Sequence, residues 1–422
     1  MRCRSAPHVV LATRIYPPDQ AAAAFRLGAL VRSLEGRGCR VTVLTTRSAA
    51  EGSDAGASTS TRLRRWPVMR DRSGYVRGYL PYLSFDLPLA LRILVAPRPD
   101  VVVVEPPPTT AAVVRAVLAV RAMLVNQGRR TPYVYYAADV WSDASAATGM
   151  PRAAVRALRR LERFALAGAT DVIAVSEGVA ARVRALGACS VRTVPNGVDT
   201  QVFRPDAVDP DGQRPEGVPR VPFLLYAGTA SEWQGAEIFA EAMREVIRHH
   251  PTARLVYLGR GSAWPRLQQI AAQLPPGAID IRPLVTPPVL AAWHRAASAA
   301  LASVRPGLDY DFAYPTKVLT ALACGTPVVF AGPGPAATDL STHDLGVPVR
   351  YDGAAMATAM VYALDTATPE TDVTRRVRWV TENRSIETSA ASAARVVLDT
   401  VEGPRDRVER AHRCMRRSPP RP

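Results

Sequence analysis

Twice along this 422-residue chain a series of short, nearly continuous apolar runs alternates with longer segments of helical periodicity. The runs "HVVLAT", "RVTVLTT", "DVVVVE", "PYVYYAAD", "DVIAVS" and "VRTVP" come before residue 200. After residue 220 the series restarts with "FLLYAGT", "ARLVYLG", "AIDIRPLV", "AALASV", "TPVVFAG" and "VPVRY". Strands that are apolar on both faces belong to a parallel sheet covered by helices on either side. The pattern therefore predicts an α/β protein with two Rossmann-like, doubly wound domains. Between the two series lies "DAVDPDGQRPEGVPRVP", rich in Pro, Gly and Asp and without periodicity, which reads as a linker. The expected divisions are residues 1–205, a linker over 206–222, a second domain over 223–385, a last periodic helix over 386–402 and a basic, solvated tail over 403–422.

Hydrophobic residues make up 48% of the chain and charged residues 21%, enough to bury two cores and too apolar for wholesale disorder. The formal charge of +16 comes from arginines spread over helical faces such as "RAAVRALRRLERFALAG", not gathered with aromatics. Nucleic acid is not an expected partner, because stacking platforms and a reader motif are missing. A basic surface still favours phosphorylated ligands or an anionic bilayer, and "VRGYLPYLSFDLPLALRIL" is the segment expected to make peripheral membrane contact. The five cysteines are widely spaced and form no CxxC pair, so neither a disulfide framework nor a zinc site is suggested, and no metal ligand set is expected. The first apolar run is too short for a signal peptide, and no segment reaches the length of a membrane span. The expected location is the cytoplasm, with peripheral contact at the inner face of the cell membrane.

In open parallel sheets ligands bind beyond the carboxyl ends of the strands. "TRIYPPDQAAAAFR" follows the first strand in place of GxGxxG, which argues against a nicotinamide or flavin oxidoreductase. In "YPTKVLTALACGTPVVFAG" stands the chain's one lysine, Lys317. Pro315 suits the first turn of a helix and Gly325 its end, so Lys317 falls at a helix N-terminus, where free N–H groups and the dipole favour an anion and disfavour a cation. A compact ammonium at such a position suits a phosphate as a point charge.

The segments "TVPNGVDTQVF", "LLYAGTASEWQG", "RLVYLGRG" and "PTKVLTALACGTPVVFAG", with "IYPPDQAAAAFRLGALVRSLEGRGCRVTVLTT" near the start, resemble the hallmark segments of family 4 glycosyltransferases over nearly the whole chain. "ADVWSD" is similar to the "DLWP"-type segment of the polysaccharide branch. The resemblance implies a GT-B fold, two domains facing across a cleft with a C-terminal helix crossing back to the first. It also implies transfer from a nucleotide-sugar donor to an acceptor with retained configuration, and no cofactor or obligatory metal. It assigns the donor to Gly228, Thr229, Ser231, Glu232, Gln234, Gly235, Arg260, Val285, Tyr314, Pro315, Thr316, Lys317 and Thr320. The acceptor falls to Tyr16, Asp19, Arg26 and Trp141, and catalysis to Lys317 and Asp139. Departures accompany the match: Phe312 and Thr320 stand where the family commonly has glutamates, with Asp309 and Asp311 just upstream, and Glu232 and Gln234 stand near the usual phosphate-turn lysine. Two alternatives remain open at this point, another GT-B enzyme such as a nucleotide-sugar epimerase, and a catalytically inactive partner subunit.

Overall fold

The computed structural model describes residues 6–19, 21–47, 61–70, 79–125, 128–147, 150–206, 216–308 and 310–403. Asp309, Cys3, Cys414, residues 207–215 of the expected linker and 404–422 of the expected tail lie outside them. The chain forms two compact units, residues 1–195 with 389–422, and residues 196–388. Residues 196–205, read from the sequence as the end of the first domain, are thus part of the second unit.

The first unit runs β1 (His8–Ala12), α1 (Ala22–Glu35), β2 (Arg40–Thr46), β3 (Thr61–Trp66), α2 (Tyr79–Val95), β4 (Val101–Val104), α3 (Pro108–Leu124) and β5 (Tyr133–Ala137). It continues through α4 (Trp141–Ala147), α5 (Arg152–Gly168), β6 (Asp171–Ala174), α6 (Glu177–Ala185) and β7 (Val191–Thr193). The strands form one parallel sheet in the order β3-β2-β1-β4-β5-β6-β7. β1, β4, β5 and β6 are buried at every position, as their apolar runs require. β3 was not legible as a strand: "TRLRRW" is an edge strand whose alternate residues are exposed, so it carries no apolar run.

The second unit runs β8 (Phe223–Thr229), α7 (Glu237–His249), β9 (Arg254–Arg260), α8 (Trp264–Ala271), β10 (Ile279–Arg282), α9 (Pro287–Ala296) and β11 (Ala299–Ser303). It continues through α10 (Thr316–Ala323), β12 (Val328–Ala331), α11 (Pro335–Thr342), β13 (Gly346–Val349), α12 (Gly353–Asp365) and α13 (Glu370–Arg384). Its parallel sheet has the order β10-β9-β8-β11-β12-β13. The last helix, α14 (Ile386–Glu402), places Ala393, Ala394, Val396 and Val397 in the core of the first unit with Val9, Leu27 and Val41. Thr400 Oγ1 on it donates to the buried Asp171 at 2.8 Å.

In each sheet the strand order reverses once, between β1 and β4 in the first unit and between β8 and β11 in the second. The crevice beyond the carboxyl ends at such a reversal is where a doubly wound sheet holds its ligand. No helix among the described residues is long and apolar enough to cross a membrane.

Candidate active site

In the second unit the end of β8 borders the reversal, and the end of its neighbour β9 and the start of α10 lie beside it. β8 pairs with β9 so that Gly228 faces Gly259 and Thr229 faces Arg260. A Cβ on Gly259 would come within 2.0 Å of the Gly228 carbonyl oxygen, so this close strand approach excludes a larger residue. Gly228 itself has φ 108°, a conformation that turns the chain into the segment Thr229–Gly235.

Lys317 lies on α10 just after its N-cap, Pro315, which precedes the first helical residue Thr316 instead of occupying the first turn as expected. The lysine does not project from an exposed helix end. Its side chain is buried at 9% exposure, its Nζ donates to the Thr229 carbonyl at 2.9 Å, and the ammonium sits 3.7 Å from the centroid of the Tyr226 ring. Burial holds its pKa well below the ordinary lysine value. The unfavourable term expected from the sequence was repulsion by the helix dipole; the larger one in the structure is lost hydration of a cation. No carboxylate forms an ion pair with it among the described residues, and no group of three or more His, Cys, Asp or Glu side chains that could hold a metal occurs there.

The turn after β8 is held from inside. Gln234 is buried, and its Oε1 accepts from the Ser231 amide at 3.2 Å, the Ser231 hydroxyl at 3.3 Å and the Tyr226 hydroxyl at 3.3 Å. Gln234 and Ser231 therefore fix the turn, while Glu232 is exposed. Gly235, at φ 61°, leaves room for the Tyr351 hydroxyl, which donates to its carbonyl at 2.8 Å. Arg260 and Thr316 are exposed at the ends of their elements.

The other expected donor residues make contacts within their own unit. Val285 packs against the cluster around Trp293 and Leu258. The Tyr314 ring lies under the Arg384 guanidinium at 5.0 Å, beside the Arg384–Asp339 ion pair. Thr320 donates to the Lys317 carbonyl and meets Nε2 of the buried His294 at 3.2 Å. Burial lowers the pKa of His294 to about 3. Phe312 stacks on Tyr310, with centroids 5.7 Å apart, and Tyr310 stacks on Trp233 at 5.0 Å. That aromatic ladder was not anticipated.

In the first unit the residues that follow β1 and β4 meet. Glu105, immediately after β4, forms an ion pair with Arg26 of α1 and accepts from Thr13 Oγ1 at 3.1 Å. Arg26 also lies over the Tyr136 ring at 5.0 Å. Asp139 follows β5, and burial raises its carboxyl to about 6, with Arg26 opposing the rise and Glu105 adding to it. Asp139 is nevertheless an exposed residue, so water offsets much of that desolvation. Trp141 opens α4; its amide and that of Ser142 donate to the two oxygens of the buried Glu162 at 2.9 and 3.0 Å. Its ring meets Tyr82 edge-on, and Arg14 sits 4.2 Å over Tyr82 and 6.0 Å from Trp141. Arg26, Asp139 and Trp141 thus belong to neighbouring groups. Tyr16 instead packs against the core of the first unit, and burial pushes its hydroxyl up to about 12, with Glu35 adding to the rise. The Asp19 amide donates to the Tyr16 carbonyl at 3.2 Å. The sequence reading did not single out Arg14, Glu105 and Glu162, although Glu105 directly ends "DVVVVE" and so stands at the carboxyl end of a buried strand.

Residues 24–202 match the family model described as Glycosyltransferase Family 4, and residues 221–366 match that described as Glycosyl transferases group 1. The D-inositol 3-phosphate glycosyltransferase of Acidothermus cellulolyticus is 30% identical over 184 residues, 39% of this chain and 39% of that protein. D-inositol 3-phosphate glycosyltransferase 2 of Catenulispora acidiphila is 31% identical over 188 residues, 42% of each. The matched stretch thus spans about two fifths of these curated relatives. Among solved structures, sucrose-phosphate synthase from Thermosynechococcus elongatus superposes with a TM-score of 0.70 at 16% identity, covering 94% of this chain and all of that one. Anabaena HepE in complex with UDP and glucose superposes with a TM-score of 0.67 at 15% identity, covering 93% and 100%. At such identities the likeness concerns the fold.

Proposed function

The chain belongs to glycosyltransferase family 4 and has the GT-B fold, and from this premise we propose that it moves a sugar from a nucleoside-diphosphate donor to an acceptor with retention of configuration. The observation that carries this reading is Lys317, a buried cation without an anionic partner among the described residues, beside the strand-end turn of β8 and at the start of α10. A diphosphate leaving group gathers negative charge on its oxygens as the glycosidic bond breaks. A desolvated ammonium and the free N–H groups of a helix start stabilise that charge more than they stabilise the intact donor. Arg260, paired in register with Thr229, supplies a second cation at the same strand ends. On the acceptor side, Asp139 is assigned the acceptor hydroxyl, with Arg26 and Trp141 beside it and the Arg26–Glu105 pair keeping them in place.

Proteins of similar fold support the donor class, since HepE was solved with UDP and glucose. No metal is assigned a step in this reading. The test is turnover of a panel of sugar nucleotides by the purified full chain, with the anomeric configuration of the product read by NMR. Retained configuration is expected. A protein that binds nucleoside diphosphates but turns over none of the panel would favour the inactive-partner reading, which Phe312 and Thr320 in the glutamate positions also motivate.

A further inference from the structure

The helix-α2 face of β1, β2 and β3 carries an arginine set that the transfer reading does not use. Alternation along parallel strands puts every second residue on one face. The register pairs His8 with Arg40, Thr42 with Arg62 and Leu44 with Arg64, and all six line one cavity of about 650 Å³. Arg92 of α2 closes it from above, with its guanidinium 3.9 Å over the Trp66 ring. The cavity lies toward the amino ends of these strands, whereas Arg14, Glu105 and Asp139 follow carboxyl ends and Lys317 is in the other unit.

Two polar atoms here are buried without a hydrogen-bond partner, Nδ1 of His8 and Nη1 of Arg92. The other ring nitrogen of His8 meets Thr42 Oγ1 at 2.9 Å. Among the described residues no side-chain hydrogen bond or ion pair is made by Arg40, Arg62, Arg64 or Arg92, in contrast to the paired Arg26, Arg192, Arg282 and Arg384. Two carboxylates beside these strands have other partners: Asp100 accepts from the His8 amide at 2.7 Å, and Glu35 accepts from Thr61. Four like charges around one cavity repel one another, and an anion of two or more charges reverses the sign of that energy. Guanidinium forks match phosphate oxygens in pairs, and the volume suits a small ligand.

We propose that this cavity is a binding site for a phosphate-bearing anion, separate from the donor site. The phosphate belongs either to a soluble compound or to a lipid headgroup. The second source has a structural argument of its own, because Leu87, Leu91 and Val95 are 64%, 61% and 72% exposed and recur every fourth residue along α2, on which Arg92 sits.

The test uses the full chain at low salt with inorganic pyrophosphate as the soluble probe, and with phosphatidylcholine vesicles with and without phosphatidylglycerol as the lipid probe. Arg62→Ala/Arg64→Ala changes two exposed residues on an edge strand, so the fold should survive; Arg160→Ala/Arg163→Ala on α5 removes the same charge elsewhere. Lys317→Ala removes the donor-site cation, so loss of that site and loss of this one read separately. In the Lys317→Ala background, where the donor site has lost its cation, pyrophosphate or anionic vesicles should still bind, should bind equally after Arg160→Ala/Arg163→Ala is added, and should bind at least about tenfold more weakly after Arg62→Ala/Arg64→Ala is added. Pyrophosphate binding with indifference to vesicles assigns a soluble ligand. Vesicle binding that also falls in Leu87→Ser/Leu91→Ser assigns a lipid phosphate. Equal binding with and without Arg62→Ala/Arg64→Ala in the Lys317→Ala background, or binding of neither probe in that background, overturns the proposal.

Discussion

Replacing Lys317 separates catalysis from stability, because the contacts it makes and the solvation it lacks act in opposite directions. In the empty protein the side chain contributes a hydrogen bond to the Thr229 carbonyl and a cation–π contact with Tyr226. Those are worth about 1.5–3 and about 0.5–2 kcal/mol. Against them stands the dehydration of an ammonium, several kcal/mol in a protein interior. The terms nearly cancel, so Lys317→Met, which keeps the volume of the stem, should shift the melting temperature of the second unit by no more than about 2–4 °C, the effect of ~1 kcal/mol in a unit of this size. Lys317→Ala should melt somewhat lower than Lys317→Met because it leaves a void. Turnover behaves differently, since removing one group that stabilises transition-state charge costs about 10²–10³ in rate, or ~2.7–4 kcal/mol.

Proton linkage supplies a readout that a merely structural lysine would not give. Burial depresses the pKa of the free protein's Lys317, so above that depressed value the folded chain binds fewer protons there than the unfolded chain does, and stability rises with pH up to the unfolded lysine value. A diphosphate brought against the amine raises its pKa again, so donor binding takes up a proton over the interval between the free and bound values. Calorimetric titration with a nucleoside diphosphate in buffers of different ionisation enthalpy should show a buffer-dependent heat for the parent and none for Lys317→Met. Lys317→Arg retains charge but not shape, and its residual rate measures how far a point charge suffices. Turnover by Lys317→Met within about threefold of the parent would refute the phosphate assignment.

Three further outcomes follow from buried groups outside the leaving-group site. His294 is neutral in the fold, its pKa lowered to about 3 by burial, so the unfolded chain binds the extra proton as pH falls below the ordinary value of about 6.5; stability should drop by ~1.4 kcal/mol per pH unit across that window, and denaturant melts of His294→Gln should lack this component. Glu162→Ala leaves the amides of Trp141 and Ser142 without their carboxylate and should cost the first unit about 1–3 kcal/mol per amide, with a change in Trp141 fluorescence, whereas Glu162→Gln should retain part of the loss. Glu105→Ala strands Arg26 without its carboxylate and should lower stability by about 3–5 kcal/mol in urea melts, well beyond the effect at an exposed pair such as Arg248–Glu245.

The sheet strands were legible because burial on both faces forces a run such as "VVVV" in β4, and the restart at "FLLYAGT" marks the second sheet by the same rule. β3 escaped because an edge strand need bury only one face, and three of its six residues are arginine. Lys317 stood out as the one lysine, and Gly325, at φ 78°, ends its helix as its type suggests. What the lysine faces was hidden, since its burial depends on α10 lying across the end of β8, a contact between residues 88 positions apart. Gln234 and Thr320 show the same limit: the resemblance assigned both to the donor, and the sequence did not reveal that one holds a turn from inside and the other bonds its own helix and His294.

The arginine bias of the sequence concealed more than any missing motif did. Where nearly every cation is arginine, the residue type ceases to distinguish a solvated helix face from a site, and only the partner does. Arg26 meets Glu105, Arg192 meets Asp399 and Arg384 meets Asp339, so these stabilise the fold in the ordinary way. Arg40, Arg62, Arg64 and Arg92 gather around one cavity with no carboxylate paired to them among the described residues. Three of them come from strands in adjacent register and the fourth from the helix above, an arrangement that costs repulsion in the empty protein. In a composition this biased, several cations that line one cavity without carboxylate partners among the described residues are a more specific sign of a ligand than any arginine-rich stretch of sequence.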